Sequence, residues 1–250
     1  MSEHPTIAPA ATRADKLVVA VAMLFPSVVT WFYFIWLAES KSQGQQLAFA
    51  VGKAAQFAMP VVWVALTQPG RLGWRRSPPI IPRRYVLLGI AFGLTVSAAM
   101  MAMYFVVLKP QGWFDEATPQ ILDKVSGFGV ASPMGYLALA MFYALIHSGL
   151  EEYYWRWFVF GQLGRFQSVA LAAVVSSLGF MAHHVILLGY YFGWASTWAY
   201  LFSLCVAVGG LIWAGLYHRS QSIGPSWISH LIVDAGIFLV GYDVVRRLWL

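Results

Sequence analysis

The feature that most limits what this chain can fold into is its succession of long apolar runs. Seven stretches, roughly 17–38, 47–66, 85–108, 134–155, 168–189, 197–217 and 225–244, read as candidate membrane spans, and a helical span takes about 17–25 residues. Backbone N–H and C=O groups find no water in the bilayer core, so such runs must satisfy themselves as helices. The chain is therefore expected to be an all-α, polytopic transmembrane bundle of about seven spans, with eight as the alternative count. Composition agrees: 60% of residues are hydrophobic and 10% are charged, against about 25% charged residues in soluble domains. With 250 residues, that many helices use up the length. A cytoplasmic tail is expected over 1–16 and a single membrane-embedded helical domain over 17–250. The first run exceeds the about 7–15 residues of a cleavable signal core, so it reads as a retained span.

A net charge of +6 in a soluble protein would suggest nucleic acid. Here the basic residues cluster in short loops between apolar runs, the pattern that sets membrane topology. Their expected counterpart is the acidic lipid surface, and nucleic acid is not an expected partner. The loop "TQPGRLGWRRSPPIIPRRY" holds five arginines, Arg71, Arg75, Arg76, Arg83 and Arg84, and is expected on the cytoplasmic side. Counting spans outward places the N-terminus with Arg13 and Lys16, then Arg156, Arg165 and Arg219, on that same side. Ten basic residues fall inside and five outside, with Lys53 within a span. Arg246 and Arg247 break the pattern, so either the last span is expected to be re-entrant or one helix is miscounted. The expected location is the plasma (inner) membrane, as a multi-pass integral protein with a cytoplasmic N-terminus.

Smaller features add detail. The polar segment 109–133 is expected to hold a short amphipathic helix at the surface. Cys205 is the single cysteine, which excludes an intrachain disulfide, and it is expected as a small core residue. Gly209, Gly210 and Gly215 are expected to permit close helix packing. Lys53 and Gln56 interrupt the second run, and the lysine is expected to snorkel or to face the bundle interior.

Seven of the ten acidic residues lie in loops, tails or the far end of a span, but Glu151, Glu152 and Asp234 are embedded. So are His147, His183, His184 and His230. Each such group costs a few kcal/mol at mid-membrane, so embedded ionisable residues are functional candidates. They sit on the fourth, fifth and seventh runs, which allows them to converge on one polar pocket. Residues four apart share a helix face. His147 therefore stacks over Glu151, Glu152 over Arg156, and His230 over Asp234. Glu152 and Arg156 form a local ion pair. Glu151 lies about 100° around the helix and has no arginine at that spacing, which leaves it the freer carboxylate and the candidate general base. A lone embedded histidine is ordinarily a helix–helix hydrogen-bond partner. The whole constellation in one small protein points instead to catalysis or proton handling. Two other classes compete. One is a transporter or proton relay using Glu151, His184 and Asp234, and the other is a scaffold descended from an enzyme. Transport predicts paired interrupted spans, and none is visible.

Three local patterns occur in order: "EEYYWR" (Glu151, Glu152, Arg156), "FMAHH" (Phe180, His184) and "HLIVD" (His230, Asp234). They resemble the motifs EExxxR, FxxxH and HxxxN of the CPBP family of intramembrane proteases, the CAAX protease and bacteriocin-processing (Abi) proteins that include the type II CAAX prenyl endopeptidases. The resemblance covers about 134–241, and the "SSLG" before Phe180 also fits it. From Phe180 the second motif lands on His184, while His183 points about 100° away and reads as packing or support. The resemblance implies an intramembrane endopeptidase acting on a membrane-associated or prenylated peptide. Glu151 and His184 would activate the attacking water, and His230 with residue 234 would stabilise the oxyanion. Glu152, Arg156, His147 and Phe180 would organise the site. One departure matters: the family's Asn is here Asp234. An ionised aspartate cannot donate to an oxyanion, so Asp234 must be protonated, orient His230, or bind metal. Two chemistries stay open. One is metal-free glutamate catalysis. The other uses a divalent metal such as zinc, held by Glu151, His184 and His230 with Asp234 as ligand or support. Neither GxSxG nor HExxH is present, which argues against a serine nucleophile elbow and a soluble-type zinc protease.

Overall fold

The computed structural model describes residues 11–37, 43–68, 81–127, 129–130 and 132–249. All seven apolar runs are helices long and apolar enough to cross a membrane. In chain order the helices are α1 (Arg13–Trp36), α2 (Gln43–Thr67), α3 (Arg83–Leu108), α4 (Ala117–Gly127), α5 (Pro133–Leu163), α6 (Val169–Phe192), α7 (Thr197–Ser220) and α8 (Gly224–Val245). No strand occurs among the described residues. Residues 1–10 of the tail, and Arg71, Arg75 and Arg76 of the basic loop, lie outside the described residues.

Polar residues at the ends of the runs set the helix starts. Thr12 and Asp15 form a reciprocal capping box at α1, which satisfies two otherwise orphaned N–H groups. Ser132 caps α5 ahead of Pro133, and Ser168 caps α6. The amphipathic helix expected in 109–133 is α4, with Ala117 and Val125 buried.

Ion pairs at the two ends of the bundle establish how the helices run. At one end Asp15 accepts from Trp63 at 3.3 Å and Gln68 at 3.2 Å, and pairs with Arg165 at 3.2 Å. The start of α1 and the ends of α2 and α5 therefore share one face. At the other end Asp243 accepts from Tyr104 at 2.9 Å and pairs with Lys109 at 2.5 Å. The ends of α3 and α8 thus share the opposite face. Helix α8 crosses the whole bundle, so neither a re-entrant last span nor a miscount is needed. Arg246 is held locally by Asp243 at 2.9 Å.

Two further expectations are corrected. The fourth span runs to Leu163 rather than 155, and Arg156 is a fully buried side chain, not a loop cation. Glu152 neutralises it within the helix, so the charges do not end the span. Cys205 lies exposed on the outside of α7, not in the core. In a bilayer the outer surface is as apolar as the interior, and an apolar run does not reveal which residues face inward.

The helices pack through small residues. A methyl group on Gly93 of α3 would lie 2.8 Å from the carbonyl oxygen of Ser229 and 2.9 Å from Cβ of Ile232 on α8. Ser97 Oγ donates to the carbonyl of Ile232 at 2.9 Å. Such close approach raises the dispersion contact that drives helix association in lipid. Of the three glycines read as packing positions on α7, Gly210 is one, meeting Ser177 of α6 at 3.0 Å. Gly209 meets only Trp213 of its own helix, and Gly215 has nothing within 4 Å.

Helix α5 departs from regular geometry. π-helical turns at Phe142–His147 and Tyr153–Phe160 flank a short α segment, Ser148–Glu152. Such turns concentrate at functional sites. The second one buries Tyr154, Trp155, Arg156 and Phe158 together, so this stretch forms the centre of the core with Phe180 and Trp213.

Candidate active site

The three motif helices α5, α6 and α8 meet around the Glu151 carboxylate. Glu151 is 4% exposed, and Glu152 and Arg156 are fully buried. Three imidazoles surround Glu151. His147 Nε2 stands 3.8 Å from Oε1, His183 Nε2 3.7 Å from Oε1, and His230 Nε2 3.8 Å from Oε2. These gaps exceed the about 2.7–3.2 Å of a direct hydrogen bond.

Glu152 bridges two partners. Its Oε2 meets Arg156 Nε at 3.2 Å, the ion pair the spacing predicts. Its Oε1 meets His230 Nδ1 at 3.0 Å, a bond between α5 and α8 that no local spacing reveals. A carboxylate on Nδ1 fixes the tautomer and ring orientation and turns Nε2 into the site. His230 Nε2 also lies 3.6 Å from Asp234 Oδ1, as the four-residue spacing suggests.

An aromatic wall holds these groups. The Arg156 guanidinium lies 5.2 Å from the Phe180 ring centroid and 5.6 Å from that of Trp213. Trp213 stacks on His230 at 4.1 Å and donates its indole N–H to Ser229 at 3.0 Å. Phe180 presents its ring edge-to-face to His183, His184 and His230. Cation–π contact is strongest where water is excluded, which suits an arginine inside a membrane.

The structure brings Glu151, Glu152, Arg156, His147, Phe180, His230 and Asp234 together. It differs from the spacing argument over the paired histidines. His183, which the spacing turns away, is the imidazole 3.7 Å from Glu151. It is buried at 5% exposure and stacks on Trp155 with rings 6° from parallel. His184 is half-buried, its ring 4.2 Å from that of His183, and its Nδ1 bonds the Phe180 carbonyl at 3.0 Å. Helical geometry separates neighbours by about 100°, but two long imidazoles can still reach one pocket from adjacent positions. Trp213 was missed altogether. Its only signal is an indole in mid-span, and such a ring needs a partner for its N–H when buried.

The zinc set of Glu151, His184, His230 and Asp234 is not arranged as a metal site. Among the described residues no group of three or more His, Cys, Asp or Glu side chains is arranged to hold a metal ion. Nδ1 of His184 is held by the Phe180 carbonyl and Nδ1 of His230 by Glu152, partners that fix each ring's orientation and are also those a metal-ligating imidazole carries on its second nitrogen.

Residues 133–236 match the family model described as type II CAAX prenyl endopeptidase Rce1-like. The matched segment contains all three motifs, so the resemblance to the CPBP intramembrane proteases is borne out there. No curated protein and no solved structure matches the chain.

Proposed function

We propose that the chain is an intramembrane endopeptidase that hydrolyses a peptide bond of a membrane-associated or prenylated substrate, with Glu151 as the general base. The observation that carries this is the ring of Nε2 atoms 3.7–3.8 Å from the Glu151 carboxylate. That separation is too long for direct bonding and suits a bridging water. The match over 133–236 supports the same reaction class.

Glu151 takes a proton as the water oxygen attacks the carbonyl carbon. The carbonyl oxygen becomes an oxyanion, which His230 meets with the N–H of Nε2 when the ring carries its second proton. Glu152 holds the opposite nitrogen at 3.0 Å and Asp234 orients the reacting edge. As the C–N bond breaks, the proton held by Glu151 passes to the leaving amine. The products are a new carboxylate and a new amine. His184 is the half-exposed imidazole that an incoming water meets and shares the activation, while the buried His183 positions Glu151 from behind. The N-terminal side of α1, with the ends of α2 and α5, is the cytoplasmic face.

The test is cleavage of a membrane-presented peptide library, followed by mass spectrometry. Glu151→Gln is expected to lower turnover by about 10²- to 10⁴-fold, and His184→Ala by a similar factor. His183→Gln, which keeps a donor beside Glu151, is expected to cost less. Unchanged cleavage by Glu151→Gln sinks the assignment.

A further inference from the structure

The reaction as assigned meets the oxyanion with a single donor, the N–H of His230 Nε2. Asp234 Oδ1 stands 3.6 Å from that nitrogen, and an ionised carboxylate accepts hydrogen bonds without donating any. Oxyanion stabilisation rests on donors already aimed at the developing charge, so a second donor is to be sought beside the site. Tyr143 of α5 qualifies. It is half-buried, and its phenol O–H forms no hydrogen bond among the described residues. Polar groups inside a protein ordinarily have a partner, so an idle hydroxyl next to a reactive carboxylate calls for one.

Helix geometry puts this phenol on the side of the pocket toward Asp243. Tyr143, His147 and Glu151 follow one another a turn apart on α5, and Phe238, Asp234 and His230 do the same on α8 in the opposite direction, so each set shares a helix face. The Tyr143 ring lies 4.9 Å from that of His147 and 5.6 Å from that of Phe238. Two turns on, Glu151 and His230 stand 3.8 Å apart. The two columns therefore face each other, with His147 and Asp234 at the level between. The phenol oxygen is within electrostatic range of both the Glu151 and the Asp234 carboxylates. A carbonyl placed for attack from Glu151 and within reach of His230 enters the same gap.

We propose that Tyr143 donates its phenol O–H to the oxyanion of the tetrahedral intermediate, as the second donor beside His230. This rests on the endopeptidase reading above. The phenol keeps its proton throughout, so the proton that Glu151 takes from water still passes to the leaving amine. A neutral hydroxyl suits a place between two carboxylates, because it stabilises the oxyanion and adds no charge to the pocket. Stacking on His147 and Phe238 holds the ring, and a donor oriented beforehand costs no reorganisation as the charge develops. Tyr143 belongs to the π-helical turn Phe142–His147, which gives that irregular turn a use in the reaction.

The experiment measures kcat and KM on a peptide that wild type cleaves from the membrane-presented library, for wild type, Tyr143→Phe, Asp234→Asn and the double variant. Tyr143→Phe keeps both ring contacts and removes only the O–H, so its unfolding midpoint in detergent micelles should match that of wild type. Its kcat should fall by about 10²- to 10³-fold, the usual effect of losing one oxyanion donor. KM should be nearly unchanged, because the bond is made only in the transition state. Asp234→Asn brings an amide N–H to the same gap. In that background the loss caused by Tyr143→Phe should shrink by about tenfold or more, a rescue that a packing role for the ring does not produce. An unchanged kcat in Tyr143→Phe overturns the assignment. So does a raised KM at constant kcat, because the phenol then binds substrate and transition state alike. Equal losses in the two backgrounds, or a lowered midpoint with cleavage lost in both, make the tyrosine structural and also overturn it. Wild type cleaving no peptide of the library removes the endopeptidase reading itself, and this assignment with it.

Discussion

Replacing Arg156 with methionine roughly keeps the length of the side chain and removes its charge, which leaves the buried Glu152 carboxylate with His230 as its remaining partner. Both partners are fully buried and their atoms lie 3.2 Å apart. With an effective dielectric of about 20, their attraction is about 5 kcal/mol. Breaking a buried pair from one side ordinarily costs about 3–5 kcal/mol. The contacts of the guanidinium with the Phe180 and Trp213 rings add to the loss, by about 0.5–2 kcal/mol. Arg156→Met should therefore destabilise the bundle by about 3.5–7 kcal/mol. The double variant Glu152→Gln with Arg156→Met should recover much of that, because no lone charge is left. Reversible unfolding in mixed dodecyl maltoside and SDS micelles measures each corner of the cycle. A cost below about 1 kcal/mol for Arg156→Met, the range of solvent-exposed pairs, would refute the reasoning. So would strict additivity of the two single changes.

Other outcomes follow from the same geometry. Asp234→Asn preserves shape and gains an N–H that can reach an oxyanion, so cleavage should stay within about tenfold of wild type; abolished cleavage in a folded protein would show that the carboxylate itself is needed. Gly93→Ala forces a methyl group to 2.8 Å from the Ser229 carbonyl, next to His230. It should cost about 1–3 kcal/mol in the micelle unfolding assay and lower cleavage as well. Gly215→Ala, with nothing within 4 Å, should be neutral or stabilise by up to about 1 kcal/mol. Equal effects from these two alanines would contradict the described α3–α8 contact.

Much of the site was legible because its charges stand out in an apolar chain. Glu151, Glu152 and Arg156 could be assigned to one helix, and their partition into a paired acid and a freer acid follows from spacing alone. His147 and Asp234 found their partners through the same four-residue rule. The rule failed where two helices cooperate. The bond from Glu152 to His230 joins residues 78 apart in sequence, and nothing in either motif announces it. The choice between His183 and His184 likewise depended on how α6 is rotated against α5, whose π-helical turns shift the registration of every side chain that follows.

The sequence by itself determined the number of helices long and apolar enough to cross a membrane, and which of them carry ionisable groups. These are local consequences of run length, hydropathy and helical period, and they need no knowledge of neighbours. Only the tertiary structure decided which faces turn inward. In lipid the outside of a helix is as apolar as its core, so Cys205 could be placed outward and Trp213 inward only by packing. The same holds for the site. Its acids and histidines are readable one helix at a time. The 3.7–3.8 Å ring around Glu151 exists only because Phe180, Trp213 and the small residues of α3 and α8 bring three helices to a common point.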